Sequence, residues 1–263
     1  MSSCLPQGWL ETVLAACREA GTAICAAREA GGYTIERKPD GSMVSAADHE
    51  ASRIVGQRLR ALDPALPVIC EEGAQHAEGA ARFWLVDPLD GTREFLRGGD
   101  LFTVNVALVE NREPVFGVVH APLAGATYWG LRGGGAWRNG VQIETRVMGD
   151  TPLVLVSPGE RAALPASFVA ALERGFAAHR IEAMPGALKF CRLAEGVADL
   201  YPRWSPSCGW DSAAGQAVLA AAGGAMYDRT WSGYGYDESP GWYNEDFVAV
   251  ADPCFDWRAL LDA

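Results

Sequence analysis

Four short stretches of this chain place carboxylates at spacings that could do chemistry. The densest is Asp87-Pro-Leu-Asp90-Gly-Thr92. Two acids crowded into one turn repel each other unless a proton or a cation lies between them. Hard divalent cations such as Mg²⁺ suit all-oxygen ligand sets of this kind. A second acid pair, Glu71-Glu72, stands 16 residues earlier. Asp48 follows Ala46-Ala47, and Asp211 follows Trp210 at the head of a run of small residues. Taken singly, each has an ordinary explanation. Asp-Pro and Asp-Gly are common turn dipeptides, and a lone acid where a helix begins is usually only a cap.

The elements that would position these acids argue against four unrelated coincidences. Phe83–Val86 is an apolar, β-forming run that ends in Asp87, and Pro67–Cys70 is a similar run that ends in Glu71; both read as buried strands. If the two strands are neighbours in one sheet, their acidic ends meet. Pro88 has no N–H to give a ladder, so pairing is expected to stop there. Gly91 permits a backbone turn that a β-carbon would resist. Thr92 is then expected to cap a short helix over Arg93–Phe95, whose free N–H groups would attract an anion.

Elsewhere, apolar residues at helical spacing predict a long amphipathic helix from Trp9 to about Ala30, ended by Gly31-Gly32, and a second from about His49 to Leu62. Tyr33–Ile35 reads as a short strand and Lys38–Ser42 as a turn. Thr103–Glu110, Val115–His120 and Ala126–Leu131 read as an antiparallel meander with its first turn at Asn111–Pro114. Gly133-Gly134-Gly135 lacks the Lys-Ser/Thr and the helix of a P-loop. Past a soft boundary near residue 150, strands and helices alternate as in an α/β layer: Leu153–Ser157, Ala166–Gly175, Arg180–Met184, Ala187–Glu195, Ala198–Tyr201, Ser212–Ala222, Phe247–Ala251 and Asp256–Leu261. The expected halves are therefore 1–150 and 151–263.

Composition narrows the function. The chain has 263 residues, 49% of them hydrophobic, enough for one large domain or two modest ones with real cores. No apolar run approaches the roughly 20 residues of a membrane-spanning helix. Met1–Gly8 lacks the basic start of a secretory signal. Seven cysteines without Cys-x-x-Cys spacing suggest a reduced, cytoplasmic protein, peripheral contact with the inner membrane being compatible with this. The four histidines have no zinc-ligand spacing. A net charge of −11 makes a nucleic-acid polymer a poor partner. A small anionic substrate stays open, because bound cations can reverse the local field.

Together, Glu71-Glu72, Asp87–Thr92 and Trp210-Asp211-Ser-Ala-Ala-Gly215 resemble the metal signatures of the inositol monophosphatase superfamily, Mg²⁺-dependent and lithium-sensitive phosphatases. The resemblance runs from the N-terminal helix to Phe247. It implies an α+β / α/β fold, the layered αβαβα sandwich of the inositol monophosphatase/fructose-1,6-bisphosphatase sugar phosphatases. It also implies two or three Mg²⁺ ions, a small phosphorylated substrate, and a monomer or homodimer. By position, Glu71, Asp87 and the Leu89 carbonyl would hold one ion, and Asp87, Asp90 and Asp211 a second. A third, weaker ion would lean on Glu71, which joins the catalytic set. Asp48 paired with Thr92 would deprotonate the attacking water. The Gly91 and Thr92 N–H groups would hold the phosphate, in a substrate site completed by Glu71, Leu89, Asp90, Lys189 and Asp211.

Within the superfamily, Arg93-Glu-Phe95, Phe102-Thr-Val-Asn105, Leu188-Lys-Phe-Cys191, Ala194-Glu-Gly196 and Leu200-Tyr-Pro-Arg203 are similar to the 3′(2′),5′-bisphosphate nucleotidase branch. That branch releases the 3′-phosphate of adenosine 3′,5′-bisphosphate to leave AMP. Lys189 is then expected near the second phosphate, and the aromatic-rich loop Trp231–Tyr243 could stack on adenine or simply pack at the surface. Inositol phosphates and fructose bisphosphate are the alternative substrates. Two departures bear on the substrate pocket: Pro185-Gly186-Ala187 replaces the usual Gly-Ser, and the loop over Asp228–Tyr243 differs from the usual one. The Asp-x-x-Asp spacing also differs from the Asp-x-Asp of haloacid-dehalogenase-type phosphatases.

Overall fold

The computed structural model describes residues 5–31, 35–37, 43–73, 76–77, 79–238 and 240–262. Helix α1 (Trp9–Ala30) buries Trp9, Val13, Cys17, Ala20 and Ile24 on one stripe and ends at Gly31, in the left-handed region at φ 62°. Strands β1 (Ile35–Arg37) and β2 (Met43–Ser45) pair antiparallel. The expected strand at Tyr33–Ile35 and turn at Lys38–Ser42 fall outside the described residues, apart from Ile35, which opens β1. Helix α2 (Ala46–Leu62) begins three residues before the predicted His49. The reason is local: Asp48 in its first turn reaches back to the Ser45 N–H at 2.8 Å, a capping-box bond that fixes the start.

The next strands are β3 (Val68–Cys70), β4 (Arg82–Asp90), β5 (Thr103–Glu110), β6 (Glu113–Ala121), β7 (Ala126–Leu131), β8 (Gly135–Arg138) and β9 (Val141–Ile143), with α3 (Thr92–Leu96) between β4 and β5. Among the described residues they form one sheet in that order. β3 runs parallel to β4, with Cys70 opposite Val86, so the two acid-tipped strands are neighbours as the sequence suggested. The other pairs are antiparallel. The first hairpin turn is tighter than predicted, with Asn111 and Arg112 both at positive φ and pairing resumed at Glu113. β8 and β9 were not anticipated.

The second half contributes β10 (Leu153–Val156), α4 (Ala166–Gly175), β11 (Arg180–Ala183), α5 (Leu188–Ala194), β12 (Leu200–Arg203), α6 (Gly209–Ala221), β13 (Ala225–Asp228), β14 (Phe247–Val250) and α7 (Trp257–Leu261). Of these, β13 was not anticipated. The second sheet has the order β11-β10-β12-β14-β13, with β10, β11 and β12 parallel and β14 antiparallel to both neighbours.

Three buried clusters define the layers. α1 and α2 cover one face of the first sheet through Val13, Ile24, Val55 and Leu59 against Trp84, Val104, Phe116 and Val118. α5 and α6 fill the space between the sheets, where Phe190, Ala214 and Val218 join Leu85 and Val119 on one side and Leu155 and Ala249 on the other. α4 and α7 cover the far face of the second sheet with Phe168, Leu172 and Trp257. The result is an αβαβα sandwich. No helix among the described residues is long and apolar enough to cross a membrane.

α6 determines how close the middle layer can lie. A Cβ at Gly117 of β6 would come 2.4 Å from the Ala214 carbonyl oxygen, and one at Gly130 of β7 would come 2.7 Å from the Val218 Cα. Glycine in the sheet and alanine in the helix let the two backbones touch. The N-terminus of α6, with Asp211, is thereby brought down onto the acidic ends of β3 and β4.

Candidate active site

β4 does not end at Pro88 as expected. Its ladder to β5 pauses at Asp87, opposite Asn105, and resumes at Asp90, opposite Thr103, so two residues of β4 bulge against one of β5. A bulge re-aims side chains beside a site. Here one oxygen from each of Asp87, Asp90 and Asp211 lies within 4.8 Å of the other two. Glu71 lines the same cavity of about 470 Å³, as do Leu89, Gly91, Thr92 and Lys189. Glu72, the second acid of its pair, is not on that wall.

Each of the three aspartates has one oxygen fixed by protein donors. Asp87 Oδ1 accepts the Leu89 N–H at 3.0 Å. Asp211 Oδ2 accepts the Cys208 N–H at 2.8 Å. Asp211 is thus the third residue of α6, whose cap is Cys208, and not the N-cap that the sequence allowed. Asp90 Oδ2 accepts from Thr103 and Asn105 at 3.2 Å each and from the Ala187 N–H at 2.6 Å. The second oxygen of each receives no donor among the described residues.

Burial pushes the Asp87 carboxyl well above the usual range, and the charges of Glu71, Asp90 and Asp211 add to it. Burial and then Asp90 raise Asp211 to about 7. Such a group of carboxylates cannot all ionise without a countercharge. All-oxygen donors, oriented by backbone N–H groups and short of positive partners, fit a hard divalent cation.

Asp48 stands behind this group, 1% exposed. Its Oδ2 accepts the Ser45 N–H at 2.8 Å and the Ser45 hydroxyl at 2.6 Å. Its Oδ1 faces the Thr92 hydroxyl at 3.1 Å, which is also 3.1 Å from the Leu89 carbonyl. Thr92 is therefore not the cap of α3. Gly91 is, at φ 91°, and the Thr92 hydroxyl is turned to Asp48. Burial raises the Asp48 carboxyl, against the lowering effect of its Ser45 and Thr92 bonds.

Residues 6–253 match the model of the inositol monophosphatase family. The chain belongs to that family of phosphatases. Among curated relatives it is 39% identical over 242 residues to the 3′(2′),5′-bisphosphate nucleotidase CysQ of Salmonella typhimurium, covering 88% of this chain and 94% of that one. It is 40% identical over 212 residues to the enzyme of the same name from Escherichia coli K12, covering 78% and 83%. Among solved structures, CysQ from Bacteroides thetaiotaomicron, a bacterial member of the same family, superposes with a TM-score of 0.77 at 26% identity, over 94% of this chain and 98% of that one.

The cavity has a second wall, built from the second half of the chain. Lys189 is 1% exposed. Its ammonium donates to the Met184 carbonyl at 3.0 Å and the Gly186 carbonyl at 2.8 Å and lies 4.7 Å from the centre of the Tyr201 ring. Burial, with Arg203 nearby, lowers it to about 7. Arg203 donates to Ser157 Oγ at 2.6 Å and to the Ser205 and Pro206 carbonyls. Both side chains therefore knit loops together on the cavity wall. Leu200-Tyr-Pro-Arg203 was visible as a motif; the loop-tying role was not. Ser45-x-x-Asp48 has the spacing of a capping box, which could have placed Ser45 at the site.

Of the rings in the loop at 231–243, Tyr234, Tyr236 and Trp242 are buried. The Trp231 indole N–H is bonded to Asp262 at 3.0 Å. Packing is thus the role of most of these rings. Tyr243, which is 59% exposed and lines the cavity, is the exception.

Proposed function

We propose that this protein is a Mg²⁺-dependent 3′(2′),5′-bisphosphate nucleotidase that hydrolyses adenosine 3′,5′-bisphosphate to AMP and phosphate. The observation that carries the reading is the 39% identity, over 88% of the chain, to an enzyme of that name. The clustered carboxylates lining the cavity supply chemistry consistent with it.

Glu71, Asp87, the Leu89 carbonyl, Asp90 and Asp211 would hold two or three Mg²⁺ ions. Bound there, the ions would supply a nucleophile at neutral pH and offset the charge of the phosphate. The chain's own work lies around Thr92. Ser45 holds Asp48 in one rotamer, so Asp48 Oδ1 stays on the Thr92 hydroxyl. Thr92 can then accept a hydrogen from the attacking water while passing its own proton to Asp48. A carboxylate whose pKa burial has raised is the better base for that step. The Gly91 and Thr92 N–H groups would receive the phosphate, and Lys189 would stand near the second phosphate. We further read 1–150 and 151–263 as two halves meeting at this cavity, in a cytoplasmic monomer or homodimer.

The test is a side-by-side measurement of kcat/KM with Mg²⁺ on adenosine 3′,5′-bisphosphate, inositol 1-phosphate and fructose 1,6-bisphosphate. We expect the nucleotide to lead by about tenfold or more, or about 1.4 kcal/mol in transition-state binding. A tenfold lead for inositol 1-phosphate would overturn the nucleotidase reading and leave the phosphatase.

A further inference from the structure

Tyr243 is held in place by an unusual stretch of backbone. Gly241 and Trp242 both lie in the left-handed region, at φ 74° and 60°. For a residue as bulky as tryptophan this is a true outlier, and such conformations persist only where the surroundings impose them. The surroundings here do. Trp242 is 3% exposed, and its ring meets Phe83 of β4 edge-on at 5.2 Å. On the far side, the Asn244 N–H donates to the Ser207 carbonyl at 2.8 Å and the Asn244 side-chain amide to the Cys208 carbonyl at 2.7 Å. Between these anchors, Tyr243 bridges antiparallel to Cys208. Cys208 is the residue whose N–H holds Asp211.

The ring is therefore tied, through one backbone pair, to the helix start that places a carboxylate of the candidate metal site. It also rests against Gly241, where a Cβ would come 2.8 Å from Tyr243 Cε2. Despite this fixed backbone the ring itself is left open on the cavity wall. The other aromatic residues on that wall, Tyr201, Trp210 and Phe247, are buried. An aromatic side chain with only two torsions, on an anchored backbone, loses little entropy when a flat partner covers it. Nucleobases stack on such rings whatever their sequence, whereas an inositol or a sugar offers no π face.

We propose that Tyr243 is the platform on which the purine base of the substrate stacks, and that it sets the preference for nucleoside bisphosphates over base-free phosphates. The proposal rests on the nucleotidase reading above and adds to it the residue that recognises the base.

The experiment is a cycle of two substrates and three proteins. The substrates are adenosine 3′,5′-bisphosphate and 1-deoxyribose 3,5-bisphosphate, which lacks the base; the proteins are wild type, Y243A and Y243F. In wild type the base should lower KM. Y243A should raise KM for the nucleotide about tenfold more than for the base-free compound, and Y243F, which keeps the ring, should recover the nucleotide preference. Equal changes on both substrates, or none, would overturn the role of Tyr243 while the nucleotidase reading stands. Failure of wild type to hydrolyse adenosine 3′,5′-bisphosphate would remove both.

Discussion

Asp90 is the residue where ligand and framework meet. Its Oδ2 serves Thr103, Asn105 and the Ala187 N–H. An asparagine there must keep its carbonyl oxygen on that side, which turns its NH₂ toward the acids that a cation would join. The site then gains a donor where it needs a ligand. Asp90→Asn should cut kcat by more than the roughly 100-fold that follows loss of an outer partner. Its metal-free fold should survive, since one charge leaves a repelling group. Near-wild-type kcat at saturating Mg²⁺ would remove Asp90 from the ligand set. Thr92→Ala makes a different claim. It takes away the hydroxyl between Asp48 and the Leu89 carbonyl and leaves a buried carboxylate oxygen without its partner. If the hydroxyl orients water in the transition state, kcat should fall by about 100-fold with KM nearly unchanged. A rise in KM alone would make Thr92 a substrate-binding group only.

At the scale of elements, the sequence disclosed what depends on one segment and hid what depends on two. The runs ending in Asp87 and Glu71 were legible because both strands are buried on each face and read as continuous apolar stretches. The bulge at Pro88–Leu89 was not, because it exists only against β5. β9, written Val-Gln-Ile and largely exposed, has neither the length nor the alternation of a readable strand. Thr103 and Asn105 lie two apart on one strand face, so their partnership was within reach; the Ala187 N–H, a backbone group 97 residues from Asp90, was not. The small residues of α6 were visible as a run, but the glycines they pack on were not readable as their partners, since a lone glycine in a strand looks like a weakness. That contact gives the next prediction. At Gly117 a methyl would meet the Ala214 carbonyl oxygen at 2.4 Å and the Ala217 Cβ at 2.8 Å, so backbone must move. Gly117→Ala should cost about 2 kcal/mol, a fall in Tm of roughly 4–8 °C. Because α6 carries Asp211, the protection given by Mg²⁺ should shrink as well. An unchanged melting curve would mean that α6 is not seated on this glycine.

At the scale of the whole molecule, the carboxylates join segments far apart in the chain, and without a cation they are a liability whose size depends on pH. Asp211 titrates at about 7 in the folded protein against an ordinary 3.8, from burial first and Asp90 second. Between those values the unfolded chain has lost the proton that the folded chain keeps. The folded state binds more protons there, so stability falls as pH rises. The contribution is whole below the ordinary value and gone above the raised one, and Asp87 shifts in the same direction. Magnesium should reverse this, because it binds the ionised carboxylates of the folded state and displaces their protons. Melting curves in a chelator and in excess Mg²⁺ should therefore lie close together near about pH 5 and separate progressively toward about pH 8. At a hundredfold excess over Kd the gain is about 2.7 kcal/mol, or roughly 5–10 °C for a chain of this size. Asp90→Asn should narrow the gap at the upper end, because one anionic ligand is replaced by a neutral amide. Two curves that stay parallel across this range would mean that Mg²⁺ does not bind these clustered carboxylates, and the ligand assignment would have to move elsewhere in the cavity.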